Sequence, residues 1–278
     1  AGGMRRGAEQ AQVGLLSATA GDPRAMPAVA AYEGRIVADG SHADGDLQLA
    51  SMGIGADQLS VVDAAGGTVT PGLIDPHTHL LFAGTRHAEL ALRQAGFGYL
   101  DILAAGGGIL QTVRHTRAAS DEELLSHGRR WLAEMLGHGV TTVEVKSGYG
   151  LDVATELRLL AVAGALAAEG PVEVVPTFLG AHAVAPEYRE RPDAAAAYLD
   201  HVISEQLPRV AEQGIAVACD VFCERGVFEP DAARRLLEAA RDAGLGVRLH
   251  ADELHESGAA ELAAEIGATS ADHLAAVG

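Results

Sequence analysis

Short apolar segments alternate with longer amphipathic segments from residue 71 to the end of the chain. We count six candidate strands, at residues 72–75, 141–145, 172–178, 216–222, 246–249 and 268–270. Segments with helical patterning lie between them, at residues 121–136, 154–168, 193–213, 231–243 and 258–266. This alternation is typical of a parallel sheet whose strands are joined by crossover helices. We therefore predict an α/β fold for residues 71–278.

The first 70 residues have a different pattern. Residues 1–30 show no clear period, and we predict a weakly structured segment there. Residues 31–70 contain three short β-type runs, at 34–37, 59–62 and 68–70, separated by glycine, aspartate and serine. These runs predict a small β unit that precedes the main domain.

Composition narrows the function classes. The formal net charge of −18 argues against nucleic acid and against anionic membrane surfaces, because both need a cationic binding face. The chain has no apolar run long enough to span a membrane. Its two cysteines, Cys219 and Cys223, are too few for a disulfide framework, so we expect core thiols and a cytoplasmic location. Lys146 is the only lysine.

Polar residues follow each of the six candidate strands. They lie at residues 76–79, 146–150, 180–182, 223–225, 250–253 and 271–273. In parallel α/β sheets, ligands bind at the carboxyl ends of the strands. The sequence therefore predicts one shared site built from these six segments.

His77 and His79 are the most informative pair in that set. Side chains two residues apart on an extended backbone point in the same direction, so both imidazoles can face one cation. Neutral imidazole is a good ligand for zinc and iron. The pair follows a strand that is entered through Pro71 and Gly72, and this context makes a metal site more specific than the pair alone.

Residues 70–79 (TPGLIDPHTH) are similar to the first-strand metal motif of the amidohydrolase superfamily. Within that superfamily, the segments at 80–86, 146–151, 177–182, 250–253 and 270–274 resemble the imidazolonepropionase family. The resemblance implies a (β/α)8 TIM-type barrel beside a small N-terminal β-sandwich. Since a closed barrel needs eight strands, we expect an incomplete barrel of about six βα units at 71–278, part of the sandwich at 31–70, and a longer gene product.

The resemblance also implies one mononuclear metal ion, either Zn²⁺ or Fe. By motif, three of its ligands would be His77, His79 and His250. The fourth ligand of the family is an aspartate of the eighth strand, which would lie beyond Gly278. Asp272 does not match it by motif position, so the expected site has three protein ligands, a number that still suits a catalytic zinc site.

The reaction implied by the resemblance is the hydrolysis of 4-imidazolone-5-propanoate to N-formimidoyl-L-glutamate in histidine degradation. Glu253 would orient the ring or exchange a proton with a ring nitrogen. His273 would act on the attacking water as a base or as an electrostatic partner.

Substrate-binding residues follow from the same motifs. We expect Arg86 to bind the propanoate, since a guanidinium is well suited to a carboxylate, with the hydroxyl of Tyr149 assisting. His182 would bind the imidazolone oxygen, Glu253 would contact the ring, and Tyr99 would close the pocket or serve only in packing.

Alternatives remain open at this point. The chain resembles other cyclic amidine hydrolases and deaminases in its first-strand motif, and an inactive, truncated chain that only binds a metal is a third hypothesis. Some related enzymes bridge two metals with a carboxylated lysine, a role that Lys146 would take in a further alternative. The expected partner is a small-molecule substrate, with no nucleic acid and no membrane, and a homodimer is left open.

Overall fold

The computed structural model describes residues 27–32, 35–65, 67–98, 101–102 and 106–278. The chain divides into two compact units, with the boundary between Pro71 and Gly72. Most of the N-terminal segment predicted to be weakly structured lies outside the described residues.

The first unit contains one β-hairpin and one helix. Strand β1 (Pro27–Tyr32) pairs with β2 (Arg35–Ser41) in antiparallel fashion, and helix α1 (His42–Ser51) follows directly. Ser41 caps this helix in a capping box with Asp44. A single turn of 3-10 helix follows at Ala56–Gln58.

The strands expected at 59–62 and 68–70 are absent, and these two predictions are wrong. Both segments lie in irregular backbone. Val61 and Val62 are 76% and 88% exposed, so their β-branched side chains have no sheet surface to pack on. A strand needs a hydrogen-bonding partner, and β-propensity alone does not provide one.

The six-stranded sheet predicted for the second unit is confirmed. Its strands are β3 (Leu73–Asp75), β4 (Val140–Lys146), β5 (Glu173–Ala181), β6 (Ala218–Cys223), β7 (Gly246–Ala251) and β8 (Ser270–His273). All neighbours are parallel, and the spatial order equals the sequence order. The carboxyl ends of all six strands therefore lie at one edge of the sheet.

Helices connect these strands. They are α2 (Glu89–Gln94), α3 (Ile109–Ala118), α4 (Asp121–Gly137), α5 (Val153–Glu169), α6 (Ala194–His201), α7 (Leu207–Gln213), α8 (Pro230–Asp242) and α9 (Ala259–Glu265). A π-turn, Val202–Gln206, joins α6 to α7, and a 3-10 turn, Pro186–Tyr188, precedes them. None of the helices in the described part of the chain has the length and apolar character needed to cross a membrane.

Side chains of β4 and β6 alternate between the two faces of the sheet. In β4, Val143 and Val145 belong to an apolar cluster with α4 and α5, whereas Glu144 and Lys146 are buried on the opposite face. In β6, Cys219 and Cys223 belong to a second apolar cluster with α8 and are free thiols, as predicted. The helix-facing side of the sheet is thus apolar, and the interior side carries charge.

The sheet curls so strongly that distant strands meet in its interior. Neighbouring strands lie about 4.8 Å apart, so β4 and β8, four places apart, would be separated by about 19 Å in a flat sheet. The Nζ atom of Lys146 in β4 nevertheless lies 3.2 Å from Oδ2 of Asp272 in β8. This convergence across the interior is the geometry of a barrel wall, and the fold is an incomplete (β/α) barrel.

The apolar cluster between sheet and helices should dominate the stability of the second unit. Leu237 of α8 is 0% exposed, whereas Leu90 of α2 is 59% exposed. We expect Leu237→Ala to lower the free energy of unfolding by about 2–5 kcal/mol, because it leaves a cavity. The matched variant Leu90→Ala should change it by about 0.5 kcal/mol or less. Urea titration followed by circular dichroism measures both, and equal effects would contradict this account of the core.

Candidate metal and substrate site at the carboxyl ends of the strands

Three histidines converge at the carboxyl edge of the sheet. His77 and His79 follow β3, and His250 lies in β7. The Nε2 atoms of His79 and His250 are 3.1 Å apart, and the rings of His77 and His250 have their centroids 4.6 Å apart. One nitrogen from each of the three side chains lies within 4.8 Å of the other two. The structure therefore brings together the three residues expected to bind a metal.

The donor set fits a transition-metal ion. Two nitrogens bound to the same tetrahedral zinc are about 3.3 Å apart, close to the His79–His250 spacing. Nδ1 of His79 is buried and lacks a hydrogen-bond partner in the described structure, so this ring is held by packing and by its Nε2 side. Burial, followed by the nearby imidazoles of His182, His250 and His77, lowers the pKa of His79 well below its ordinary value. A neutral imidazole is the form that binds metal.

Carboxylates hold the far sides of two of these imidazoles. Nδ1 of His77 donates to Oδ2 of Asp272 at 2.7 Å. Nδ1 of His250 lies 3.0 Å from Oδ2 of Asp220, and the backbone N–H of His250 donates to Oδ1 of the same carboxylate at 3.1 Å. With both Nδ1 atoms engaged, Nε2 is the nitrogen of each ring that faces the site.

Lys146 connects these carboxylates to one another. Its Nζ atom lies 2.6 Å from Asp220, 2.8 Å from Glu144 and 3.2 Å from Asp272. Burial alone would lower the pKa of Lys146, but the neighbouring Asp220 and Glu144 outweigh burial and raise it. Three carboxylates around Nζ favour the charged ammonium over a carboxylated lysine, which argues against the alternative in which Lys146 bridges two metals.

His182 lies against the cluster formed by His77, His79 and His250, and its ring orientation is fixed. Its Nδ1 donates to the carbonyl oxygen of Gly148 at 3.0 Å, and its ring stacks on His79 with centroids 4.7 Å apart. Gly148 has a φ of +101°, and a Cβ there would lie 2.9 Å from Nδ1 of His182, so this position requires glycine. Burial lowers the pKa of His182 to about 3. The ring is therefore neutral, with Nε2 free of that backbone contact.

Tyr149 is placed by the loop that follows β4. Its ring centroid lies 5.3 Å from that of His182 and 5.6 Å from that of His79. The loop is shaped by the buried carboxylate of Glu156 in α5, which accepts backbone hydrogen bonds from Gly148, Gly150 and Leu151 at 2.8–3.0 Å. Burial raises the pKa of Glu156, although these hydrogen bonds oppose the rise.

Glu253 and His273 face each other beside the histidine cluster. Oε2 of Glu253 lies 3.5 Å from Nε2 of His273, and the His273 ring centroid is 5.1 Å from that of His250. Burial lowers the pKa of His273, although the Glu253 carboxylate opposes this shift. The loop that carries Glu253 is anchored by Asp252, which accepts hydrogen bonds from Ser257 and from the first turn of α9.

The roles of two expected substrate residues, Arg86 and Tyr99, are not tested by the described structure. Arg86 is partly exposed, and among the residues that the structure describes it has no ion pair or side-chain hydrogen bond. Its guanidinium has no contact with the histidine cluster, so its role stays a prediction. Tyr99 lies outside the described residues, and its role also stays a prediction.

The sequence did not predict the buried charged residues that support the histidine cluster. Glu144, Asp220 and Arg248 lie inside strands rather than at their ends, and Glu156 lies in a helix. A signal was present, because each of the three strand residues alternates with apolar residues on a strand that is buried on both faces. A charge in that position must be paired inside the protein.

The anchor at Glu156 is testable. Glu156→Gln replaces an acceptor of three backbone N–H groups with a side chain that presents its own donors to them. We expect a loss of about 1–3 kcal/mol in the free energy of unfolding, whereas Glu238→Gln, on the exposed face of α8, should cost about 0.5 kcal/mol or less. Chemical denaturation of both variants measures the difference, and a neutral effect of Glu156→Gln would show that the loop does not depend on this carboxylate.

Comparison with known proteins agrees with this geometry. The Amidohydrolase family model matches residues 68–277. The imidazolonepropionase of Alkaliphilus metalliredigens is 51% identical over 276 residues, which are 98% of this chain and 61% of that protein. The corresponding values are 54% over 222 residues for the imidazolonepropionase of Geobacillus kaustophilus (79% and 52%). For that of Symbiobacterium thermophilum they are 50% over 275 residues (99% and 61%). The chain thus spans between 52% and 61% of the length of these relatives. With an interior cluster of histidines at the ends of parallel strands and a family match over three quarters of its length, the chain belongs to the amidohydrolase family.

Proposed function

We propose that the protein hydrolyses the ring C–N bond of 4-imidazolone-5-propanoate to give N-formimidoyl-L-glutamate. The observation that carries the proposal is the grouping of His77, His79 and His250 beside the facing pair Glu253 and His273. About 50% identity to proteins named imidazolonepropionase supports this choice of substrate.

We assign His77, His79 and His250 to one Zn²⁺ or Fe ion. All three offer imidazole nitrogen donors, a set that suits either metal. When bound, such an ion would lower the pKa of a coordinated water to about 7 and so supply a nucleophile at neutral pH. The carboxylates of Asp220 and Asp272 would hold two of the three rings in the orientation needed for binding.

The chemical step requires one proton to be removed and one to be delivered. The oxygen of water bonds to the ring carbonyl carbon, the carbon–nitrogen bond breaks, and the departing ring nitrogen takes up a proton. The lowered pKa of His273 keeps its imidazole neutral, as a base that accepts the proton of water must be. Glu253, 3.5 Å from His273, would receive this proton from His273 and deliver it to the departing ring nitrogen.

Three further residues would bind the substrate. Because Nδ1 of the neutral His182 ring donates to Gly148, Nε2 can only accept a hydrogen bond, so it would contact a ring N–H of the substrate rather than the ring oxygen that the sequence predicts. Arg86 would pair with the propanoate, because its guanidinium has no partner among the described residues, and Tyr149 would assist. A cytoplasmic location and a homodimer remain predictions.

The first experiment measures turnover. The full-length protein is incubated with imidazolone propanoate, and the loss of ring absorbance is followed with and without prior treatment with a metal chelator. We expect hydrolysis that is lost on chelation and restored by Zn²⁺ or Fe²⁺. Undiminished turnover after complete metal removal would contradict the proposed role of the three histidines.

A second experiment tests the substrate's carboxylate. Arg86→Ala should raise KM about 10-fold or more with a smaller effect on kcat, because a charge-assisted contact made equally in substrate and transition state is lost. Arg235→Ala is the matched control. It removes an exposed arginine of helix α8 and should leave both KM and kcat unchanged. A large fall in kcat at constant KM would assign Arg86 to the chemical step instead.

A further inference from the structure

Lys146 is a singular residue in this chain. The sequence has 20 lysine and arginine residues together, and Lys146 is the one lysine among them. It is also fully buried, at 0% side-chain exposure. Every other basic residue of the Lys/Arg type is an arginine, and the one lysine is at a buried position. This suggests that the position needs the compact shape of an ammonium group.

The surroundings of Nζ show what that shape provides. An ammonium has three N–H donors around one compact charge. Nζ of Lys146 has three carboxylates around it, at 2.6, 2.8 and 3.2 Å. A guanidinium is a wide planar fork whose donors point outward in one plane, so it does not match three acceptors that converge on one point.

Two of these carboxylates also hold the metal-binding histidines. Oδ2 of Asp220 contacts both Nζ and Nδ1 of His250. Oδ2 of Asp272 contacts both Nζ and Nδ1 of His77. One carboxylate therefore lies between Lys146 and each of two of the three imidazoles, and Lys146 of β4 joins carboxylates from β6 and β8.

Nζ also lies where a second metal ion would otherwise find ligands. His77, Glu144 and Asp272 offer three donor atoms within 4.8 Å of one another, and since His77 also belongs to the first set, a second ion would share its imidazole and take Glu144 and Asp272 for itself. Nζ of Lys146 forms ion pairs with two of these three residues, Glu144 and Asp272. Counting Arg248, which pairs with Glu144, the interior has three carboxylates and two cations, which leaves one net negative charge near the histidines. Without Lys146 the same pocket would have two uncompensated carboxylates.

We propose that Lys146 is the internal cation of this site, a positioning residue whose ammonium holds Asp220 and Asp272 against His250 and His77 and takes the place of a second metal ion. The inference rests on the proposed function in one respect, the metal ion at the three histidines. The proposal explains why this position has a compact cation. It also explains why the site would bind one metal ion although its residues form two donor groups.

The first test counts metal ions in the full-length protein. Zinc per chain is measured after equilibrium dialysis against buffered Zn²⁺. We expect one ion in the wild type, two in Lys146→Ala, and one again in Lys146→Ala combined with Glu144→Gln, which removes a ligand of the second ion. Arg129→Ala, which frees the exposed carboxylates of Glu122 and Glu169, is the control and should bind one ion. A Lys146→Ala protein with one ion overturns the proposal. If that variant folds only with zinc, the count on the zinc-loaded protein decides in the same way.

The second test separates positioning from a merely structural charge. Lys146→Arg keeps the charge but not the geometry, so we expect its zinc affinity, measured against a competing chelator, to fall about 10-fold or more, as for other residues that orient metal ligands. Wild-type affinity in this variant overturns the proposal.

A third measurement uses the wild-type protein alone. In the Co²⁺-loaded wild type, NMR should show two slowly exchanging Nδ1–H protons, from His77 and His250, and the absence of either contradicts the arrangement. None of these measurements depends on turnover, so a failure of the proposed function would be seen separately.

Discussion

Three carboxylates and one ammonium group meet in the interior of the sheet, where any of these charges alone would be strongly destabilising. Removing an ion from water costs several kcal/mol even after relaxation. Here Glu144, Asp220 and Asp272 share Lys146, and the same Oδ2 atoms of the two aspartates also contact histidines. The positions of the imidazoles therefore depend on a charge network that must form as a whole.

The energy for this arrangement comes from the other face of the sheet. Valine, leucine and cysteine side chains on the outer face pack against the helices in two large apolar clusters. Because successive residues of a strand point to opposite faces, one short segment such as 143–146 contributes to both the core and the site. A shift of one residue in register would place charges in the apolar layer, so packing of the core also fixes the orientation of the site.

The sequence was most informative about residues at the ends of strands and least informative about charges within them. His77, His79, His182, His250 and His273 could be grouped in advance because parallel strands deliver their carboxyl ends to one edge. Asp220 was not recognised, because the sequence does not show which interior partners the curled sheet gives it, here Lys146 and His250. Val61 and Val62 led to the opposite error, a strand that does not form. Their β-propensity is high, but among the described residues no neighbouring strand pairs with this segment.

Left-handed backbone at non-glycine residues is concentrated in the loops that carry the site. Among the described residues, Leu151, Asp252, His273 and Leu274 have φ between +48° and +73°, and each lies at the end of a barrel strand or in the loop after it. Such conformations cost about 1–3 kcal/mol each for ordinary side chains. Glycine or asparagine would relieve that strain at His273, but only by removing the imidazole that faces Glu253. Conformational stability and chemistry are therefore opposed at this residue, and sequence changes that make the protein more heat-resistant there would be selected against.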